Sequence, residues 1–296
     1  AAGDLILSAI TAANLGNHIS VAYDASNYER FVFYGSEGLY YVDPVNPNLE
    51  AQVDGFSIVC ENVAVAVGAT FCLNGTTIAK EIQSSTSFVR YVQLRGVSFP
   101  EQKLTAVAST VDSDSNLYVV AKDGSSLYVS KFTYDLQWLQ TVEIISGSFT
   151  DVRVVTGGSK LLILLNDTSC SEGDYCLDMV VFNSNNLDYH ETVSAKAPIE
   201  AQIMNRLNAK SHPYTAVVVG DDIVLAFGQA IFKINSKNGL VWQKTVSSGP
   251  GLVCVVTAVT VSQSLPVVGL NCSFNAVDGT YLGLMLFLSE EGDSMT

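Results

Sequence analysis

One pattern recurs along this chain and limits what it can fold into: an apolar strand-like stretch, a polar reversal of five or six residues, and a second strand-like stretch. The clearest copy is Tyr128 to Ile144, YVSKFTYDLQWLQTVEI, in which TYDLQ joins Phe132 to Trp138. Equivalent joins link Val42 to Leu49 (DPVNPN), Ile82 to Phe88 (QSSTS), Phe182 to Tyr189 (NSNNLD), Ile234 to Val241 (NSKNGL) and Leu288 to Met295 (SEEGDS). Asn, Asp, Ser, Pro and Gly fill them because tight reversals need left-handed or preset φ angles. No segment carries a helical period over a dozen positions, so the class is all-β.

The six joins return every 40 to 54 residues or so, a period that marks a repeat architecture. Each join links the third and fourth strands of a four-stranded unit. The third unit reads Leu104–Thr110, Asn116–Ala121, Leu127–Phe132 and Trp138–Ile144; the second reads Ser57–Cys60, Val63–Phe71, Thr76–Ile82 and Phe88–Leu94. Stretches such as Val63–Val67 (VAVAV) and Val217–Val219 are continuously apolar, as strands covered on both faces require. On these features the chain resembles a six-bladed β-propeller. The likeness spans the whole sequence and is architectural, with no WD dipeptides, no kelch glycine pair and no regular tryptophan. The blades fall near 17–54, 55–97, 98–147, 148–195, 196–247 and 248–296, with 1–16 as closing strand and linker.

The last unit offers only three full strands, while Asp4–Ile10 (DLILSAI) is apolar and belongs to no unit. The resemblance implies that the N-terminal strand, through Leu5, Ile6, Leu7 and Ile10, completes the last blade, its own or that of a neighbouring subunit. The stretch Ala195–Pro213 is the least strand-like and is expected to be a long loop.

Charge excludes several functions. Acidic residues number 29 against 15 basic ones, giving a net charge of −14. No basic run tracks a nucleic acid backbone or an anionic membrane. The longest apolar run, Leu282 to Leu288, is too short to span a bilayer as a helix. Charged residues make up 15% of the chain and apolar ones 48%, against about 25% charged in an ordinary soluble domain, so something besides charge must cover or solubilise the surface.

The cysteines fall in three close pairs, Cys60/Cys72, Cys170/Cys176 and Cys254/Cys272. An even count in local pairs points to disulfides and an oxidising compartment, although about fifteen connectivities are formally open. The three histidines, His18, His190 and His212, lack the spacing of a zinc site with these thiols. Sequons at Asn74, Asn166 and Asn271 lie close to the cysteines, and N-linked glycans are expected there if the chain is secreted. The opening AAGDL suits a mature secreted chain whose signal peptide has been removed.

No catalytic constellation stands out. Asp112, Asp114 and Asn116 imitate the start of a calcium loop, but Leu117 stands where its glycine belongs, so a solvated turn is the better reading. Gly220–Asp221–Asp222 reads as a hairpin turn, since adjacent carboxylates on a strand point to opposite faces. Thr156–Lys160 (TGGSK) lacks the full phosphate-loop pattern. Tyr23, Tyr28, Tyr34, Tyr40 and Tyr41 suit either an interface or half-buried strands. The expected function is a secreted glycoprotein acting as a structural or adhesive subunit that assembles with copies of itself, possible fibre formation included. The alternative is an extracellular carbohydrate- or protein-binding (lectin-like) module, and a metal-dependent propeller hydrolase ranks last. No cofactor, metal, nucleic acid or membrane insertion is expected.

Overall fold

The computed structural model describes residues 20–24, 30–35, 38–42, 50–52, 60–82, 88–94, 103–147, 149–167, 174–198, 214–235, 239–246, 252–262, 265–274 and 281–295. These residues are all-β and divide into two compact units, residues 1–147 and 148–296. The expected closing strand with Leu5, Ile6, Leu7 and Ile10, together with Cys170, His18 and His212, lies outside the described residues.

Among the described residues, the first unit holds three four-stranded antiparallel sheets in sequence order. The first is β1 (Ser20–Asp24), β2 (Arg30–Gly35), β3 (Gly38–Val42) and β4 (Glu50–Gln52). The second is β5 (Asn62–Ala66), β6 (Ala69–Asn74), β7 (Thr77–Ile82) and β8 (Phe88–Gln93), and the third β9 (Thr105–Val111), β10 (Leu117–Asp123), β11 (Ser126–Phe132) and β12 (Trp138–Ser146). The second unit repeats the plan. Its sheets are β13 (Phe149–Gly157), β14 (Lys160–Asp167), β15 (Asp174–Asn183) and β16 (Tyr189–Pro198); β17 (Tyr214–Val219), β18 (Asp222–Phe227), β19 (Ala230–Asn235) and β20 (Gly239–Thr245); and β21 (Leu252–Ser262), β22 (Leu265–Phe274), β23 (Tyr281–Leu288) and β24 (Ser294–Met295). First strands neighbour first strands, β1 beside β5 beside β9, and β13 beside β17 beside β21.

Face-to-face stacking explains the continuous apolar runs. In β18, Ile223 and Leu225 enter a core shared with Leu162, Leu164 and Met179 of the preceding sheet. The intervening Val224 and Ala226 enter a second core with Val256, Val268 and Leu270 of the following sheet. A strand that serves two cores has no polar face to spare. In the first unit Phe71 and Leu73 of β6 pack likewise against Leu117 and Val119 of β10.

Three expectations need correction. Val63–Phe71 is two strands: Gly68 adopts φ 80°, open to glycine at no steric cost, and reverses the chain so that Ala66 pairs with Ala69. The strand-like part of Ala195–Pro213 extends further than expected, because β16 runs to Pro198 and pairs Ala195 with Leu177 and Pro198 with Asp174. The joins do not reserve their left-handed position for small or polar residues. Leu136 and Leu187 take it, at φ 60° and 52°, and both side chains are buried. The backbone cost of roughly 1 kcal/mol for a left-handed non-glycine residue is offset by burying a leucine, worth about 1.5–3 kcal/mol.

The β11–β12 and β23–β24 joins share one hydrogen-bond scheme. Leu136 N–H donates to the Thr133 carbonyl at 2.9 Å, as Gly292 N–H donates to that of Ser289 at 3.0 Å. Side-chain oxygens of Thr133 and Ser289 accept further backbone N–H groups, from Gln137 at 3.1 Å and Asp293 at 3.2 Å.

Two of the joins also rest on the sheet before them. Lys80 of β7, 3% exposed at its side chain, reaches the β11–β12 join and pairs with Asp135 at 3.0 Å. Its ammonium lies 3.4 Å from the centroid of the Tyr134 ring, and the Tyr134 hydroxyl donates to the Gly68 carbonyl at 3.2 Å. Burial, followed by the negative charge of Asp135, raises the Tyr134 phenol above its ordinary pKa. In the second unit Lys233 of β19 and the Trp242 indole of β20 both donate to the Glu290 carbonyl in the β23–β24 join, at 3.4 and 2.9 Å. Lys244 pairs there with Asp293 at 2.9 Å.

Candidate functional site

Four of the described outer strands, β8, β12, β16 and β20, share a β-bulge immediately after the join. The ladder shifts register between Lys80 and Glu81, between Lys131 and Phe132, between Val181 and Phe182, and between Lys233 and Ile234. In each case the outer strand carries one extra residue, so that Glu81 opposes Phe88, Phe132 opposes Trp138, Phe182 opposes Tyr189 and Ile234 opposes Leu240. A bulge bends the strand and re-aims side chains. Here it leaves large apolar groups outside: Trp138 and Leu139 in β12, Tyr189 in β16, and Leu240 and Val241 in β20. Trp138, Tyr189 and Leu240 are 59%, 61% and 58% exposed.

The polar atoms of these rings are already engaged. The Trp138 indole donates to Thr141 Oγ1 at 2.9 Å, and the Tyr189 hydroxyl donates to Thr192 Oγ1 at 3.2 Å. What faces outward is ring surface and aliphatic carbon, the chemistry of a contact surface. The tyrosines singled out in the first sheet stand on or beside strands whose side chains fall outside the described residues.

The remaining candidate residues are placed as follows. Cys60–Cys72 and Cys254–Cys272 are disulfides, with Cα–Cα distances of 5.3 and 4.0 Å, and Cys254 stands directly opposite Cys272 in the β21–β22 ladder. Two disulfides are compatible with an oxidising location. Cys176 lies on β15, opposite Asp167 and Lys196. Asn74 ends β6 at the tip of a tight hairpin, before Gly75, and is half-buried. Asn166 is only 6% exposed within β14, so a glycan on it would require that strand to open. Asn271 pairs with Val255 and Gly283 in the middle of its sheet.

The calcium-like run is a turn stabilised by its own carboxylate. Asp112 Oδ1 accepts from the backbone N–H groups of Asp114 and Asn116 at 3.0 and 2.8 Å, and Oδ2 accepts from the Tyr118 hydroxyl at 2.8 Å. Among the described residues no group of three His, Cys, Asp or Glu side chains converges as a cation site, and no helix is long and apolar enough to cross a membrane. Gly157–Lys160 closes the β13–β14 hairpin, so TGGSK is a turn.

Gly220 and Asp221 form the β17–β18 turn, with Val219 opposite Asp222. Asp222 then pairs with Lys233 at 3.0 Å and accepts from Asn235. Burial alone would raise its pKa, but the hydrogen bonds from Asn235 and Lys233, with the charges of Lys233 and Lys160, hold it below the ordinary value. A depressed carboxylate stabilises the fold above its unfolded pKa and loses that contribution as pH falls through the folded one. Asp222→Asn is therefore expected to cost about 1 kcal/mol at pH 7. The gap between variant and parent should close as the pH is taken below about 4, read by urea unfolding at a series of pH values.

No family model matches the chain, and no curated protein matches it. Solved structures do. The chain is similar to a protein of unknown function from Bacteroides caccae, with TM-score 0.52, 12% identity and coverage of 93% of this chain and 92% of that one. It is similar to the N-terminal domain of Nup159, with TM-score 0.52, 12% identity and coverage of 86% and 73%. The WD40 domain of SCAP from fission yeast gives TM-score 0.48 at 14% identity, with coverage of 90% and 66%. For the first two, at such identities, the likeness is one of fold: successive four-stranded antiparallel sheets in a β-propeller-like arrangement. Sequence reading found the joins but not the bulges behind them. Their signal at two of the joins was a doubled apolar residue, Trp138–Leu139 and Leu240–Val241, which breaks strict alternation.

Proposed function

We propose that this chain is a secreted, glycosylated, six-bladed propeller that acts as a structural or adhesive subunit and associates with copies of itself. The observation that carries this reading is the set of apolar residues that the bulges leave exposed on β12, β16 and β20. Repetition at the same position of three sheets, on a chain of which only 15% is charged, argues for a selected contact surface, since scattered single apolar residues are ordinary. The two disulfides and the Asn74 turn support an extracellular setting. The exposed Trp138 ring also favours a second reading, a sugar-stacking platform.

Light scattering on the native chain over a hundredfold concentration range tests the proposal, with an average mass that rises with concentration as the expected result. Trp138→Ser with Leu240→Ser should weaken association by tenfold or more, the scale of losing exposed aromatic anchors. A constant monomer mass in the native chain overturns the reading, and a rise in Trp138 fluorescence polarisation on adding oligosaccharide would favour the second.

A further inference from the structure

The hairpin that turns β6 into β7 carries a reactive pair. Asn74 is followed by Gly75, and only one other asparagine in the chain, Asn238, precedes a glycine. A Cβ on the following residue hinders its amide nitrogen from reaching the asparagine side chain, and glycine has none. Gly75 takes φ 53° at the first central position of the turn, where a two-residue hairpin loop favours glycine. The ladder closes with Asn74 opposite Thr77, which leaves the Gly75 N–H outside it. A Cβ built on Gly75 would meet nothing among the described residues within 4 Å, so no packed neighbour closes over the turn.

That N–H is already directed at a base. It donates to Glu61 Oε2 at 3.2 Å, a separation across which a carboxylate can take a proton. Glu61 is exposed to water, yet its main chain is held. Its own N–H donates to the Leu73 carbonyl at 2.9 Å, and its neighbour Cys60 is bonded to Cys72. The turn is held from the other side as well, because the Gly75 carbonyl accepts from Ala106 N–H at 2.8 Å and that of Thr76 from Leu94 N–H at 3.2 Å. Base and reacting nitrogen are both positioned by contacts outside the pair.

We propose that Asn74 is a site of self-catalysed deamidation, with Glu61 as general base and water as the co-reactant. Glu61 Oε2 takes the proton from Gly75 N, and that nitrogen attacks Cγ of Asn74. The new N–Cγ bond closes a cyclic imide, the Cγ–Nδ2 bond breaks, and Nδ2 leaves as ammonia with the proton that Glu61 took. Water then opens the imide at either carbonyl, leaving aspartate or, where the main chain now runs through Cγ, isoaspartate. Water is consumed and ammonia released, and nothing is oxidised or reduced. The nitrogen that leaves is the one a glycan would occupy, so glycosylation and deamidation are exclusive fates of this side chain. Isoaspartate lengthens the main chain beside a two-residue turn, which draws the Gly75 and Thr76 carbonyls out of line with Ala106 and Leu94. The proposal stands independently of self-association.

The test uses the full chain made in a host that attaches no N-linked glycans, incubated folded at neutral pH. Peptide mapping by mass spectrometry follows asparagine, aspartate and isoaspartate at position 74, with Asn238 as an internal clock. The parent should convert at Asn74 to a mixture that contains isoaspartate. Glu61→Gln keeps an oxygen to accept the N–H but cannot take its proton, and should slow conversion at Asn74 by about tenfold or more while Asn238 keeps its parental rate. Should Glu61→Gln change the circular dichroism spectrum, Glu61→Asp, which draws the carboxylate back by one methylene, replaces it with the same expectation. A folded parent still intact at Asn74 after a synthetic peptide of residues 71–78 has converted overturns the site. Equal rates at Asn74 in parent and variant overturn the role of Glu61, and so does equal slowing at Asn74 and Asn238.

Discussion

Replacing Lys80 by Ala is expected to lower the stability of the first unit by about 2–3 kcal/mol. The side chain is almost wholly buried, places its ammonium over the Tyr134 ring and ends on Asp135. Truncation removes the methylenes, the cation–π contact and the ion pair together. The paired carboxylate decides how that sum divides. Asp135 is 83% exposed at its side chain, so it rehydrates when its partner is lost, and Asp135→Asn should cost less than about 1 kcal/mol. Lys80→Met keeps the stem and a polarisable atom over the ring, and should recover most of the loss. Equal losses in the Ala and Met variants would mean that the charge carries the energy. The chain has two tryptophans, one in each unit. Trp138 stands next to the join that Lys80 supports, so its fluorescence in urea reports the first unit while Trp242 reports the second.

Gly157→Ala should damage the second unit by about 3 kcal/mol, at the upper end of what one added methyl costs in a packed site. A Cβ built on Gly157 would lie 2.3 Å from Val218 Cβ and 2.8 Å from its Cγ2. Both atoms sit close to the main chain, so no side-chain rotation relieves the overlap, and β13 must move away from β17. Val218→Gly in the same chain removes the opposing atoms. The double variant should then be more stable than the sum of the two single losses predicts by at least about 1 kcal/mol. Additive losses would show that the two backbones can separate at little cost. Urea unfolding followed at Trp242 makes the comparison.

Much of this fold was readable because its information is local. A reversal with Asn, Asp or Ser flanked by apolar alternation needs no distant partner to be recognised, and the joins at Phe132–Trp138 and Phe182–Tyr189 fall where the pairing places them. Cysteines twelve and eighteen residues apart are likewise a short-range signal. What escaped the reading depends on neighbours. VAVAV gives no hint that Gly68 will fold it back, because a short apolar run fits one long strand or two short ones equally well. Leu136 and Leu187 defeat turn chemistry because a core waits beneath them, and tertiary burial outweighs a local backbone preference. Asn166 satisfies a sequon yet lies buried in a strand, since three letters carry no account of exposure. The exposure of Trp138, Tyr189 and Leu240 depends on a one-residue register shift that only the paired strand reveals.

Of the two disulfides among the described residues, Cys60–Cys72 ties the residue two before β5 to the adjacent β6 and Cys254–Cys272 ties β21 to the adjacent β22, so neither waits for a distant part of the chain to be made. Each can close as soon as its own hairpin has emerged during synthesis, in the order in which the sheets are translated. Wrong partners for these two pairs are then consumed before later thiols appear, so these pairs have little need of disulfide reshuffling to mature.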